Sequence, residues 1–141
     1  MKVYSWKQIG NIYLWRYEGN NKNFPGWHMT GDKDGLRSLS ELLLMMYNED
    51  VNTNRTLTLS TPGVSELAIS GCKNKPVPEN KVKLYFEAEE VEEWTIKPFF
   101  GTMDIVMNSY STKGFRDSLL RRINGENDFT FGHGENQLWF W

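Results

Sequence analysis

The clearest hydrophobic pattern in the chain covers residues 32–50, DKDGLRSLSELLLMMYNED. Apolar side chains recur there at the three- and four-residue spacing that places them on one side of an α-helix. Asp32 or Asp34 can accept hydrogen bonds from the free N–H groups at the helix start, and both carboxylates suit the positive end of the helix dipole. The pattern predicts an amphipathic helix whose core-facing arc consists of Leu36, Leu39, Leu42, Leu43, Leu44, Met46 and Tyr47.

Alternating apolar and polar residues predict strands before and after this helix, over residues 11–17, 27–30, 55–60, 81–88, 94–98, 103–107, 128–131 and 137–141. The simplest connection between 81–88 and 94–98 is a hairpin through residues 89–93. A helical turn is the alternative there, because glutamate favours helices. Residues 64–70 fit neither spacing well and are interpreted as a strand. Residues 71–80, with two prolines, are interpreted as a surface loop.

A second helix is predicted over residues 113–124, with Ser111 or Thr112 as its cap and Asn124-Gly125 as its stop. Its inward side chains are Phe115, Leu119, Leu120 and Ile123. Strands and helices are mixed without the regular alternation of a parallel βαβ protein. The sequence therefore indicates a single α+β domain over 1–141, with a mainly antiparallel sheet and two helices packed on one side of it.

Composition narrows the functional classes. The 141 residues carry a net charge of −2, so the chain lacks the positive field typical of nucleic-acid-binding proteins. Its one cysteine, Cys72, cannot form an intramolecular disulfide, and the first residues do not resemble a signal peptide. No segment reaches the about 18 apolar residues that span a membrane. We expect a cytoplasmic protein that binds neither nucleic acid nor membrane.

Aromatic residues make up 14% of the chain and could line a small-molecule site. The residues for such a site would be Trp15, Trp27 and Trp94, with His28 and Asp32 as polar groups. General acid–base chemistry would need these polar side chains within hydrogen-bond reach of one another. The simpler interpretation makes His28 an exposed strand residue and Asp32 a helix cap.

Other chemistries find less support. Cys72 and His133 could act as nucleophile and base, with Asp104 or Asp128 orienting the base, but nothing in the sequence brings them together. Residues 32–36 do not form a calcium loop, because a leucine occupies the fifth position. One cysteine and two histidines are too few for the usual zinc site. The second helix does not gather its basic residues, Arg116, Arg121 and Arg122, on one face. We expect no catalytic residue, metal or cofactor.

Protein binding needs only exposed complementary surfaces, and two features could supply them. The densest run of charge is acidic and would either form a solvated turn or attract a basic partner. It comprises Glu87, Glu89, Glu90, Glu92 and Glu93. Met45 lies in the middle of the polar side of the first helix, so we expect a loop or a partner to cover it.

The last three residues are all aromatic: Trp139, Phe140 and Trp141. Chain ends fray unless they are tied down, and a loose end of this kind would expose a large apolar area. We expect these residues either to form a buried strand or to anchor a homodimer or another partner. Their removal should be harmful in both cases.

Turn and helix residues near the start of the chain, together with the aromatic tail, resemble a group of small uncharacterised bacterial proteins. Some of these look like immunity proteins, the class found beside polymorphic toxins. The residues that carry the resemblance are Gly26-Trp27, Gly31-Asp32, Gly35-Leu36, Leu39, Leu42, Leu43, Asn127-Asp128-Phe129 and the LWFW tail. The resemblance implies a non-enzymatic domain that neutralises a partner toxin by occupying it. The alternative is the small-ligand pocket, or a minor enzyme built on it.

Overall fold

The computed structural model describes residues 2–19, 25–68, 72–89, 94–99 and 102–141. Their strands are β1 (Ile12–Tyr17), β2 (Trp27–Gly31), β3 (Thr53–Thr58), β4 (Pro76–Pro78), β5 (Lys81–Phe86), β6 (Trp94–Phe99), β7 (Thr102–Met107), β8 (Phe129–Phe131) and β9 (Leu138–Phe140). The helices are α1 (Lys33–Glu49), α2 (Val64–Ala68) and α3 (Ser109–Ile123), and 3₁₀ turns span Val3–Ser5 and Gly134–Asn136. The predicted α+β fold is confirmed.

The strands form two sheets that are mostly antiparallel. The five-stranded sheet has the order β4-β1-β2-β9-β8, and β2 with β9 is its one parallel pair of neighbouring strands. The four-stranded sheet has the order β3-β5-β7-β6, in which only β5 and β7 run parallel. The predicted hairpin of β5 with β6 is therefore wrong, because β7 lies between them and pairs with both.

Helix α1 forms where the pattern predicts it. Its first turn is capped by Asp32, whose side chain accepts from the Gly35 N–H at 2.7 Å. It ends where Asp50 adopts a left-handed backbone conformation, with φ of 51°. The arc of buried residues is narrower than predicted, since Leu44 and Tyr47 are 37% and 42% exposed.

Three further elements differ from the prediction. Residues 64–68 form the short helix α2, in which the Glu66 carboxylate accepts from the Gly63 N–H at 2.7 Å and caps the first turn. The predicted loop contains β4, which the two prolines permit because it lies at a sheet edge. Helix α3 begins at Ser109, four residues earlier than predicted, because Asn108 caps it and Ser111 completes a capping box.

One main core joins both sheets to α1 and α3. It includes Leu42 and Leu43 of α1, Phe115 of α3, Leu84 of β5 and Phe140 of β9. A second, smaller cluster on the five-stranded sheet is formed by Trp15, Tyr17 and Trp141. Helices α1 and α3 pack against each other. None of the helices in the described ranges is long and apolar enough to cross a membrane.

Candidate functional site

The residues predicted to line a ligand pocket lie in three separate places. Trp15 and His28 are cross-strand neighbours on β1 and β2, and their rings stack with centroids 5.7 Å apart. Trp27 precedes His28 and therefore faces the opposite side of the sheet, where it joins the main core. Trp94 belongs to the other sheet. The structure brings Trp15 and His28 together, but it does not unite them with Trp27 and Trp94.

His28 is fully buried, with 0% of its surface exposed, so the interpretation of an exposed strand histidine is wrong. Its imidazole lies among four aromatic side chains, those of Trp15, Tyr17, Trp139 and Trp141. The indole Nε1–H of Trp141 donates to His28 Nδ1 at 2.9 Å. Because an indole N–H can only donate, Nδ1 carries no proton in this arrangement. These contacts hold the His28 imidazole within the aromatic cluster.

Trp94 and Asp32 are also held by structural contacts. The indole Nε1–H of Trp94 donates to the main-chain oxygen of Asn136 at 2.7 Å. The Trp94 ring meets Phe131 edge-on, with centroids 4.8 Å apart. Asp32 accepts from the backbone N–H and the side-chain amide of Asn11, both at 2.9 Å, in addition to capping α1. The predicted cap is confirmed, and it also ties the start of β1 to the helix.

Three hydrogen bonds lower the pKa of Asp32. The largest effect comes from the Asn11 backbone N–H, and smaller ones come from the Gly35 N–H and the Asn11 side chain, while desolvation of the carboxylate acts in the opposite direction. Asp32→Ala should reduce the free energy of unfolding by about 1–2 kcal/mol at neutral pH. A lowered carboxyl pKa stabilises the fold above the ordinary pKa of the group, and that stabilisation disappears as pH falls through the lowered value. Urea denaturation should therefore show the difference from wild type shrinking as pH falls below the ordinary range of an aspartate carboxyl. Asp34→Ala, the matched control, should change stability by less than about 0.5 kcal/mol.

The remaining candidate side chains are dispersed. Cys72 packs against the cluster of Trp15, Tyr17 and Trp141, whereas His133 is exposed beside the turn at Gly134–Asn136. The three arginines of α3 have separate partners. Arg116 donates to the Ser40 main chain at 3.2 Å, Arg121 pairs with Glu126 at 3.1 Å, and Arg122 donates to the Trp141 main chain. Each of these arginines is therefore held by a different partner within the chain.

The acidic segment begins at the end of the molecule where α1 stops and α3 starts. The Glu87 N–H donates to the carbonyl of Met107, just before α3, at 2.9 Å. The next N–H, of Ala88, donates to the Asn52 side chain, just after α1, at 2.8 Å. Glu87 is half-buried and Glu89 is exposed, while Glu90, Glu92 and Glu93 lie outside the described residues. Met45 is half-buried and packs against the main core, which gives it an intramolecular contact.

The same end of the molecule carries exposed apolar side chains that the sequence analysis missed. Helices α1 and α3 run antiparallel, since Arg116 reaches Ser40 whereas Tyr47 lies opposite Thr112. Four large apolar residues at this end form what we call the α1–α3 surface: Leu44, Tyr47, Val51 and Tyr110, exposed by 37%, 42%, 55% and 76%. Helical spacing placed Leu44 and Tyr47 in the apolar arc, and it gave no sign that the packing of α3 would leave them uncovered.

A cleft of about 120 Å³ opens within this surface. Leu43, Leu44 and Tyr47 of α1 form one wall, and Thr112, Lys113, Arg116 and Asp117 of α3 form the other. Thr112 is fully buried, and its Oγ1 finds no hydrogen-bond partner among the described residues. Sites for cofactors and drug-sized ligands usually enclose about 300–1,000 Å³, so this cleft suits a single side chain or a very small molecule.

The candidate site is thus the α1–α3 surface with its cleft and the neighbouring acidic residues. Among the described residues, no group of three or more histidine, cysteine, aspartate or glutamate side chains is arranged to hold a metal ion. Comparison with protein-family models, with curated proteins and with solved structures gave no match to this chain.

Proposed function

We propose that this chain is a non-enzymatic protein-binding domain of the immunity-protein type, which neutralises a partner by occupying it. The observation that carries the proposal is the α1–α3 surface, where four large apolar side chains are exposed at one end of the molecule. Exposed apolar patches bordered by polar residues are typical of protein interfaces, and tyrosine is enriched at the centre of such interfaces.

Charge around this surface suggests the kind of partner. Asp50 ends α1 and is exposed, and Glu87 and Glu89 begin the neighbouring acidic segment. Carboxylates beside an apolar patch attract a basic partner and speed its association more than they tighten the final complex. The proposed partner is therefore a basic protein that presents an apolar centre.

The alternative functions receive less support from the geometry. The aromatic residues proposed for a ligand pocket belong to two cores and two sheets, as described above. In the predicted homodimer, the terminal aromatics would have to face outward, yet Phe140 and Trp141 are 1% and 4% exposed. Only Trp139, which is half-buried, offers part of its surface to a partner.

Affinity capture from the native host should test the proposal. Wild type should retain one basic protein in stoichiometric amount, and a Val51→Lys/Tyr110→Lys variant should not retain it. The affinity of the variant for this protein should be at least 10-fold weaker, a loss of about 1.4 kcal/mol in binding free energy. Both residues are exposed, so the variant should fold like wild type, as circular dichroism can check. Val64→Lys is the matched control, because Val64 is 86% exposed but lies on α2.

The immunity role adds a second requirement. The captured protein should arrest growth when it is expressed alone, and co-expression of wild type, but not of the surface variant, should restore growth. A partner that binds wild type and the surface variant equally would contradict the proposed surface. A harmless partner would contradict the immunity role while leaving protein binding in place.

A further inference from the structure

Trp141 is held in the aromatic cluster by a bond that depends on the protonation state of His28. The indole Nε1–H of Trp141 donates to His28 Nδ1 at 2.9 Å, and Trp141 and His28 are 4% and 0% exposed. An indole N–H can only donate, whereas both ring nitrogens of a protonated imidazole carry a hydrogen. A proton and the Trp141 indole therefore compete for the same lone pair on Nδ1.

The rings around His28 also oppose a positive charge on its imidazole. Trp15, Trp139 and Trp141 lie nearly parallel to the imidazole, with ring centroids 5.7, 6.3 and 6.1 Å away. The Tyr17 ring is nearly perpendicular to it, at 4.8 Å. Aromatic faces attract a cation, but this attraction is smaller than the cost of removing an ion from water. The cluster is therefore suited to the neutral imidazole.

Ionisable groups also lie on the elements that pack around this cluster. Tyr17 on β1 and Cys72 contact it, and the side chains of tyrosine and cysteine are ordinarily neutral at and below pH 7. Glu66 lies on α2, where its carboxylate caps its own helix. The main-chain oxygen of Trp141 accepts from Arg122 of α3, so the negative end of this residue is already paired within the chain. These contacts leave a charge on the imidazole uncompensated.

We propose that the contact between Trp141 and His28 is an acid-sensitive switch, in which protonation of the imidazole releases the end of the chain from the five-stranded sheet. Nδ1 accepts from the indole in the closed state and is free to bind a proton in the open state. A histidine in water has a pKa of about 6.5, so the equilibrium constant for opening should rise, relative to pH 7.5, about 10-fold at pH 5.5 and about 100-fold at pH 4.5. The switch contacts the end of α3 opposite to the α1–α3 surface, so it does not require the proposed function.

Amide hydrogen exchange of the full chain, measured by NMR at these three pH values, tests the release. The Trp141 N–H is bound to the Met29 carbonyl, and its protection, corrected for intrinsic exchange, should fall about 10-fold and then about 100-fold. The Leu42 amide, in the buried part of α1, should change much less. His28→Gln should remove the pH dependence at Trp141, because glutamine does not titrate. His133→Gln is the matched control at an exposed histidine and should retain it.

Nitrogen-15 NMR of the wild-type imidazole gives a second measurement that needs no variant. Nδ1 of His28 should show the resonance of an unprotonated ring nitrogen for as long as the Trp141 amide is protected. An imidazolium at His28 beside a protected Trp141 would overturn the proposal, as would protection of Trp141 that stays constant from pH 7.5 to pH 4.5. Equal losses of protection at Trp141 and Leu42 would also overturn it, since acid would then unfold the whole chain. The same pH dependence in His28→Gln would assign the effect to another group.

Discussion

Replacing Gly35 with alanine should destabilise the fold by at least about 3 kcal/mol, although the same change usually stabilises a helix by about 1 kcal/mol. Gly35 is a buried residue in the first turn of α1, and the chain crosses it at Asn11. A Cβ atom added there would lie 2.7 Å from the carbonyl carbon of Asn11 and still closer to its oxygen. Both are backbone atoms, so neither can move aside without shifting β1.

Urea denaturation of Gly35→Ala and Gly114→Ala at neutral pH measures this effect against a matched helical glycine. At Gly114 the nearest atom to the added Cβ is Cε1 of Phe131, at 2.5 Å, and that ring can rotate or shift. We therefore expect a smaller loss at Gly114, about 1–3 kcal/mol. Equal losses at the two positions would contradict the argument that the Asn11 backbone makes the Gly35 site rigid.

The elements predicted correctly are those whose causes are local. Helix α1 follows from the spacing of its leucines and from the Asp32 cap, which needs only the next three residues. Strand β5 follows from strict alternation of apolar and polar side chains over Lys81–Phe86. Alternation does not identify a strand's neighbours, however, and the hairpin prediction failed because β7, which comes later in the chain, pairs between β5 and β6.

Burial on both faces of a sheet is equally hard to infer from a single strand. Alternation correctly places Trp27 and His28 on opposite faces of β2, and the strand alone suggests that one of these faces is exposed to solvent. The end of the chain overturns this expectation, because Trp139 of β9 and Trp141, which follows β9, stack against His28 although they lie more than 100 residues later in the sequence. The cleft was unpredictable for the same reason, since it exists only where α1 and α3 meet.

The C-terminal residue should be among the most important for stability. Trp141 is 4% exposed and belongs to the aromatic cluster on the five-stranded sheet. Its backbone N–H donates to the Met29 carbonyl at 3.1 Å, and its main-chain oxygen accepts from the Thr30 hydroxyl at 2.7 Å and from Arg122. These bonds join the end of the chain to β2 and to α3.

Trp141→Ala should reduce the free energy of unfolding by about 3–5 kcal/mol, because it leaves a large cavity and deprives His28 Nδ1 of its indole donor. Trp141→Phe keeps an aromatic ring but loses the Nε1–H, so we expect a smaller loss for it. Trp139→Ala is the control, because Trp139 is also a tryptophan near the end of the chain but its indole is only half-buried. Urea denaturation at neutral pH should rank the losses with Trp141→Ala first. An equal loss for Trp139→Ala would contradict the argument that burial of Trp141 makes it the more important residue. The half-buried Trp139 would then contribute as much as Trp141, and contact of Trp139 with a second copy of the chain would be one explanation.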